Sequence, residues 1–284
     1  MTDEQKKQVR DALILYACSF GTHEQAAESL DGISVSTIGQ IKNNEWDLVS
    51  ERLWFDLARQ LGFFCREWQP AYTSAYILLR VLFADAQHYA TNYSIAMTDG
   101  LGKTFASGHY VRENGNTFYL AGNEQYNRLE FITALLRTAG VEARGTMPEM
   151  IQGFAEQLNA KKGTLLIIDD ADKLKDRVLH LLVLIFNSLA GSSGLVIMGG
   201  YNLRARIVEG ARLKKTGFNE IYESIGRRFI SLAQPAPRDV ELVCRANGVT
   251  DDSVIGHIKE KCGNNLQTAA EMIRQHNGEV IMAA

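Results

Sequence analysis

The chain has 284 residues, of which 46% are hydrophobic and 22% charged, and a formal net charge of −3. That length allows two or three modules with ample core, and the composition excludes a polycation and a low-complexity chain. No apolar run reaches the roughly 18 residues of a membrane span, and the polar start Met1–Lys7 lacks a signal-peptide pattern.

Charge is uneven along the chain. Residues 1–62 carry net −4, residues 63–235 net +3 and residues 236–284 net −2. Contact with nucleic acid through charge would therefore favour the middle segment. Cys18, Cys65, Cys244 and Cys262 stand far apart with no Cys-x-x-Cys pair, which predicts reduced, mostly buried thiols in a cytoplasmic protein. The six histidines show no metal-ligand spacing.

The first 62 residues read as all-helical, with helices over Glu4–Ser19, His23–Leu30, Val35–Asn43 and Trp46–Leu61 and a tight turn at Asp31–Ser34. A linker and leading helix occupy 63–90, the helix over Thr73–His88. His88 and Tyr89 at its end are expected to pack in the core. From 91 to 235, strands at Tyr93–Thr98, Thr117–Ala121, Thr164–Asp169, Gly194–Met198 and Arg228–Leu232 alternate with helices at Lys103–Val111, Gln125–Ala139, Met147–Asn159, Asp176–Leu189 and Leu203–Glu209. This alternation predicts an α/β fold with a parallel sheet covered on both faces. After Pro235 and Pro237, three short helices at Arg238–Ala246, Asp251–Cys262 and Leu266–Gln275 read as a helical lid over 236–284.

Two segments carry chemistry. The first apolar strand runs into Thr98-Asp99-Gly100-Leu101-Gly102-Lys103-Thr104. Glycines followed by Lys-Thr at a helix start suit a phosphate-binding loop. Backbone N–H groups wrap a polyphosphate at the positive helix end, the ammonium reaches the β- and γ-phosphates, and the hydroxyl ligates Mg²⁺. The full pattern wants glycine where Met97 stands. The second segment, Thr164–Asp170, is an apolar run closed by two carboxylates. It suits a central parallel strand whose C-terminal end lies at the ligand-binding rim of an open sheet. Asp169 would hold Mg²⁺ through water, and Asp170 would orient or deprotonate an attacking water.

Together with a polar residue after the fourth strand, arginines before the fifth and a helical lid, these segments resemble the AAA+ ATPases. The stretch Gly32-Ile33-Ser34-Val35-Ser36-Thr37-Ile38-Gly39-Gln40-Ile41, with Ala26 in the helix before it, resembles the turn and recognition helix of a repressor-type helix-turn-helix. That domain fused to such a core is similar to the MuB/TnsC/IstB family of transposition target-selection ATPases. The resemblance implies an AAA+ core, ATP and Mg²⁺ as cofactors, slow ATP hydrolysis, a homo-oligomeric ring or filament on double-stranded DNA, and a transposase as partner, in a bacterial or phage-encoded protein. Asp170 stands where most members carry glutamate, and its shorter reach implies a less well-placed water. Asn202 takes the sensor position after the fourth strand, or else caps the following helix. Arg227 or Arg228 takes the arginine-finger position, contacting the γ-phosphate in a neighbouring subunit. Gly263–Gln267 carries no arginine where many members have one in the lid.

Two surfaces are candidates for DNA. Ser36, Thr37 and Gln40 would face a major groove, although the negative charge of their domain opposes this and such folds also bind proteins. Arg204, Arg206, Arg212, Lys214 and Lys215 place five cations within twelve residues, and repeated through an oligomer they would form a basic track for sequence-independent phosphate contacts. The alternatives are a helicase-loader-type replication factor, sharing the ATP site but acting on a helicase, and an ATP-sensing DNA-binding regulator.

Overall fold

The computed structural model describes residues 1, 3–20, 22–61, 68–189, 191–224, 229–232 and 234–283. The chain separates into two units, Met1–Gln69 with Arg274–Ala284, and Pro70–Ile273.

In the first unit, α1 (Asp3–Cys18), α2 (His23–Glu28), α3 (Val35–Lys42) and α4 (Glu51–Gln60) enclose a core of Val9, Leu13, Ala26, Ile38, Ile41, Trp54 and Leu57. Side-chain caps set two of the starts. Thr22 accepts from the Gln25 N–H ahead of α2, and Ser34 from the Thr37 N–H ahead of α3. The turn between α2 and α3 uses Gly32 at φ +72. The helix expected over Trp46–Leu61 is broken: Trp46–Leu48 is a 3-10 turn, Val49 is extended, and α4 begins afresh after Ser50. Ser50 accepts from the Leu53 N–H, so a capping residue stops one helix from running through the segment. Phe55 and Leu48 are exposed.

The second unit is built from α5 (Ser74–Tyr89), β1 (Asn92–Ala96), α6 (Lys103–Glu113), β2 (Thr117–Ala121), α7 (Arg128–Thr138), α8 (Met147–Asn159), β3 (Thr164–Asp169), α9 (Asp176–Leu189), β4 (Ser193–Gly199), α10 (Tyr201–Arg212), α11 (Phe218–Ser224), β5 (Phe229–Ser231), α12 (Pro237–Ala246) and α13 (Asp252–Cys262), followed by α14 (Leu266–Ala283). The sheet is parallel throughout, in the order β2-β3-β4-β1-β5. Side chains alternate between its faces. Leu165 and Ile167 of β3 pack with Leu79, Phe83 and Ala106 of α5 and α6. Leu166 and Ile168 pack with Phe131, Phe154, Leu182 and Ile207 from helices on the opposite face. Burial on both faces accounts for the unbroken apolar run of β3.

Several boundaries differ from expectation. β1 ends at Ala96 rather than Thr98, because the Met97 and Thr98 carbonyls accept from Lys103 Nζ at 3.3 and 3.2 Å. α7 starts at Arg128 rather than Gln125, fixed by a capping box between Asn127 and Glu130. α10 is longer at both ends, α14 is longer at its C-terminal end, and α11 is an additional helix. Its seven residues are too few to show a period, yet Phe218 and Ile221 are core residues. His88 and Tyr89 are exposed rather than packed in the core. They close α5 and meet edge to face with ring centroids 4.5 Å apart. No described helix is long and apolar enough to cross a membrane. Cys18, Cys244 and Cys262 are free thiols, and the last two are buried.

Candidate nucleotide-binding site

The ends of β1 and β3 bring the two motifs together. Gly102 caps α6 with φ +84 and Gly100 has φ +79, a left-handed conformation that glycine adopts without a Cβ clash. The loop 97–102 therefore turns back on itself and leaves the first N–H groups of α6 without helical partners, the arrangement that binds anions. Lys103, the first residue of α6, is buried. Its ammonium folds back onto the loop, donating to the Met97 and Thr98 carbonyls and to Asp99 Oδ1 at 3.1 Å. The Asp99 side chain is 93% exposed. A triphosphate in this cradle would compete with Asp99 for the lysine.

Thr104, one residue into α6, donates its hydroxyl proton to Asp169 Oδ2 at 2.7 Å. Having donated its proton, its oxygen can still offer a lone pair to a hard cation. Asp169 is fully buried, and its carboxylate also accepts from the Tyr119 hydroxyl at 3.2 Å and, through Oδ1, from the Asp170 N–H at 2.9 Å. Burial, reinforced by the neighbouring Asp170 charge, holds Asp169 above the usual aspartate pKa, against the Thr104 hydrogen bond that lowers it. Burial and the Asp169 charge push the Tyr119 phenol well up, so it stays a hydrogen-bond donor. Among the described residues no group of three or more His, Cys, Asp or Glu forms a metal cage. One hydroxyl and one carboxylate still suit Mg²⁺, which keeps several waters and completes its shell with substrate phosphates.

Asp170 ends the strand with φ +50. Gly122, after β2, donates to the Asp169 carbonyl at 2.7 Å, and a Cβ on it would lie 2.3 Å from the Asp170 carbonyl oxygen. Only glycine permits that approach. The Asp170 carboxylate accepts from Lys173 Nζ at 2.7 Å, so the candidate base is paired with a cation. Asp172, two residues on, accepts from the Gly200 N–H at 3.1 Å, which ties this loop to the end of β4. Asn202 lies exposed in the first turn of α10. Gly200 rather than Asn202 is the cap of that helix. Arg227 and Arg228 lie outside the described residues.

The carboxy-terminal helices reach the loop by a route with no sequence signal. The Leu266 N–H, at the start of α14, donates to the Gly100 carbonyl at 2.9 Å. The Asn265 side chain caps α14 through the Gln267 and Thr268 N–H groups. It sits so close to Gly100 that a Cβ there would lie 2.4 Å from Asn265 Oδ1. The start of α14 therefore meets the loop through backbone and an amide, and Gly263–Gln267 carries no arginine.

The basic segment is less uniform than its sequence suggests. Arg204, Arg212, Lys214 and Lys215 are exposed. Arg212 pairs with Glu209. Arg206 turns inward: Nε donates to Asp176 Oδ1 at 2.8 Å, Nη1 to the Asp172 carbonyl at 3.2 Å and Nη2 to the Leu174 carbonyl at 2.6 Å. It clamps the loop after β3, and this corrects its assignment to a phosphate-contacting surface. In the first unit, Ser36 is exposed while Thr37 and Gln40 are half-buried. The Ser36 and Thr37 hydroxyls both lie within hydrogen-bond distance of Ser34 Oγ, at 2.7 and 2.9 Å.

Residues 88–207 match the family model described as an AAA domain. This segment is similar to AAA domains. It contains the phosphate loop, Asp169, Asp170 and the sheet from β1 to β4. No curated protein matches the chain. Among solved structures, NtrX from Brucella abortus, in complex with ATP, is similar at 12% identity and a TM-score of 0.46. The alignment covers 86% of this chain and 59% of that one.

Proposed function

We propose that the AAA domain binds ATP with Mg²⁺ and hydrolyses it slowly to ADP and phosphate, and that the nucleotide state controls assembly of the protein on duplex DNA to direct a transposase to its target. The observation that carries the nucleotide reading is the 2.7 Å hydrogen bond from Thr104 to the buried Asp169. It joins the phosphate loop to the acidic strand and leaves an oxygen free for a cation. N–H groups of Gly100 to Thr104 would hold the phosphates and Lys103 would clamp the terminal ones. Thr104 and, through water, Asp169 would hold Mg²⁺, which supplies neutralisation of charge on the phosphate oxygens. Asp170 would orient the attacking water once released from Lys173, a requirement that fits slow turnover.

The DNA and transposase parts rest on the resemblance to the target-selection ATPases and on the exposed cations Arg204, Arg212, Lys214 and Lys215. Repeated through a homo-oligomer, these would make a sequence-independent track. The engaged hydroxyls of Ser36 and Thr37 favour this surface over sequence reading by the helical domain.

Negative-stain microscopy with Mg²⁺·ATP and arbitrary duplex DNA tests the proposal. ATP-dependent filaments on any sequence are expected. Discrete particles on one sequence would replace this reading with that of a regulator, and retrieval of a helicase in place of a transposase would replace it with that of a loader.

A further inference from the structure

The Asp169 carboxylate has a countable set of partners. Oδ2 accepts from two hydroxyls, Thr104 at 2.7 Å and Tyr119 at 3.2 Å, while Oδ1 accepts from the Asp170 N–H at 2.9 Å. Each carboxylate oxygen offers about two lone-pair sites. Oδ2 is therefore filled, and the remaining site lies on Oδ1. The second hydroxyl comes from β2, whose Tyr119 pairs in register with Ile167, two residues before Asp169 on the same face of the neighbouring strand. The tyrosine ring packs against the cluster under α5 and α6, so packing holds the ring and its hydroxyl is left to engage the acid.

We propose that Tyr119 is a positioning residue for the metal site, occupying one lone pair of Asp169 so that the carboxylate presents Oδ1 to cation-bound water. This rests on the reading of the site as a Mg²⁺·ATP site and names a residue that neither motif contains. Tyr119 is placed to act through Asp169, and its hydroxyl also lies beside that of Thr104. Partners of this kind hold a ligand in one orientation, and their removal lowers metal affinity.

The test is calorimetric titration of ATP into the unmodified 284-residue chain and into Tyr119→Phe, in EDTA and across a range of MgCl₂. The ring is kept and only the hydroxyl is removed. ATP affinity in EDTA should be unchanged, while the half-saturating Mg²⁺ concentration should rise about tenfold. Tyr119→Met, which also lacks the hydroxyl, should show the same rise. An unchanged Mg²⁺ midpoint in either variant overturns the proposal. An equal loss in EDTA and in Mg²⁺ also overturns it, by assigning Tyr119 to scaffold support. Absence of Mg²⁺-dependent ATP binding in the unmodified protein would instead remove the nucleotide reading itself.

Discussion

Thr104→Val tests the link between the phosphate loop and the acidic strand. Valine keeps the shape of threonine and removes the hydroxyl that donates to Asp169 Oδ2. Asp169 is fully buried, so the carboxylate loses one of its three donors at a site shielded from bulk solvent, while Tyr119 and the Asp170 N–H remain. Hydrogen bonds to charged groups contribute roughly 1.5–3 kcal/mol, which sets the expected loss at about 2 kcal/mol. For a unit the size of Pro70–Ile273, that lowers the melting temperature by about 4–8 °C. The loss should depend on pH with a definite sign. Asp169 already titrates above the usual aspartate range through burial, and the Thr104 bond lowers its pKa, so the substitution raises the folded-state value further. A raised folded-state pKa costs nothing below the unfolded value, and its penalty grows as pH rises through the folded one. Melting followed by circular dichroism without nucleotide should show the deficit at neutral pH and its shrinkage under acid conditions, where Asp169 is protonated. A deficit equal at both pH values, or absent at neutral pH, would refute the role given to the buried carboxylate.

Asp99→Asn removes the carboxylate that competes for Lys103; as the Asp99 side chain is 93% exposed and solvent screens its charge, equilibrium titration should show ATP binding tightened by no more than about fivefold, and weaker binding would mean that Asp99 organises the loop. Lys173→Met frees the Asp170 carboxylate, so steady-state phosphate release should rise by up to about fivefold; a fall would make Lys173 part of the catalytic apparatus. Replacing Arg204, Lys214 and Lys215 by alanine should lower the slope of log affinity for DNA against log salt by about one for each phosphate that is no longer neutralised. Arg206→Ala should leave that slope unchanged and destabilise the fold by about 1–3 kcal/mol, measured by denaturant unfolding, because its guanidinium serves Asp176 and two carbonyls.

Much of the core is legible in the chain because its signals are local. Gly100, Gly102, Lys103 and Thr104 lie within five residues, where positive φ angles and a helix start follow from the glycines. The run Thr164–Asp169 declares a strand buried on both faces, and the alternation of strands and helices declares a parallel sheet, while its place between β2 and β4 comes from the tertiary structure. Capping accounts for much of the difference between expected and observed boundaries: Ser50 and Asn127 move two helix starts by side-chain hydrogen bonds that compete with the apolar period.

The residues that complete the site come from far along the chain. Tyr119 reads as an ordinary strand aromatic until β2 pairs with β3 and its hydroxyl meets Asp169. Leu266 and Asn265 acquire a part in the phosphate loop only when α14 lands on Gly100. Arg206 resembles its basic neighbours in the linear order, and α10 turns it toward the loop after β3, away from solvent. The amino-acid order alone determined an α/β sheet carrying a phosphate loop and an acidic strand, since backbone conformation and apolar period are properties of neighbours. Which side chains share the buried carboxylate, and which cations remain available to a partner, depended on distant segments meeting at one sheet edge, where hydrogen-bond geometry rather than periodicity sets the outcome.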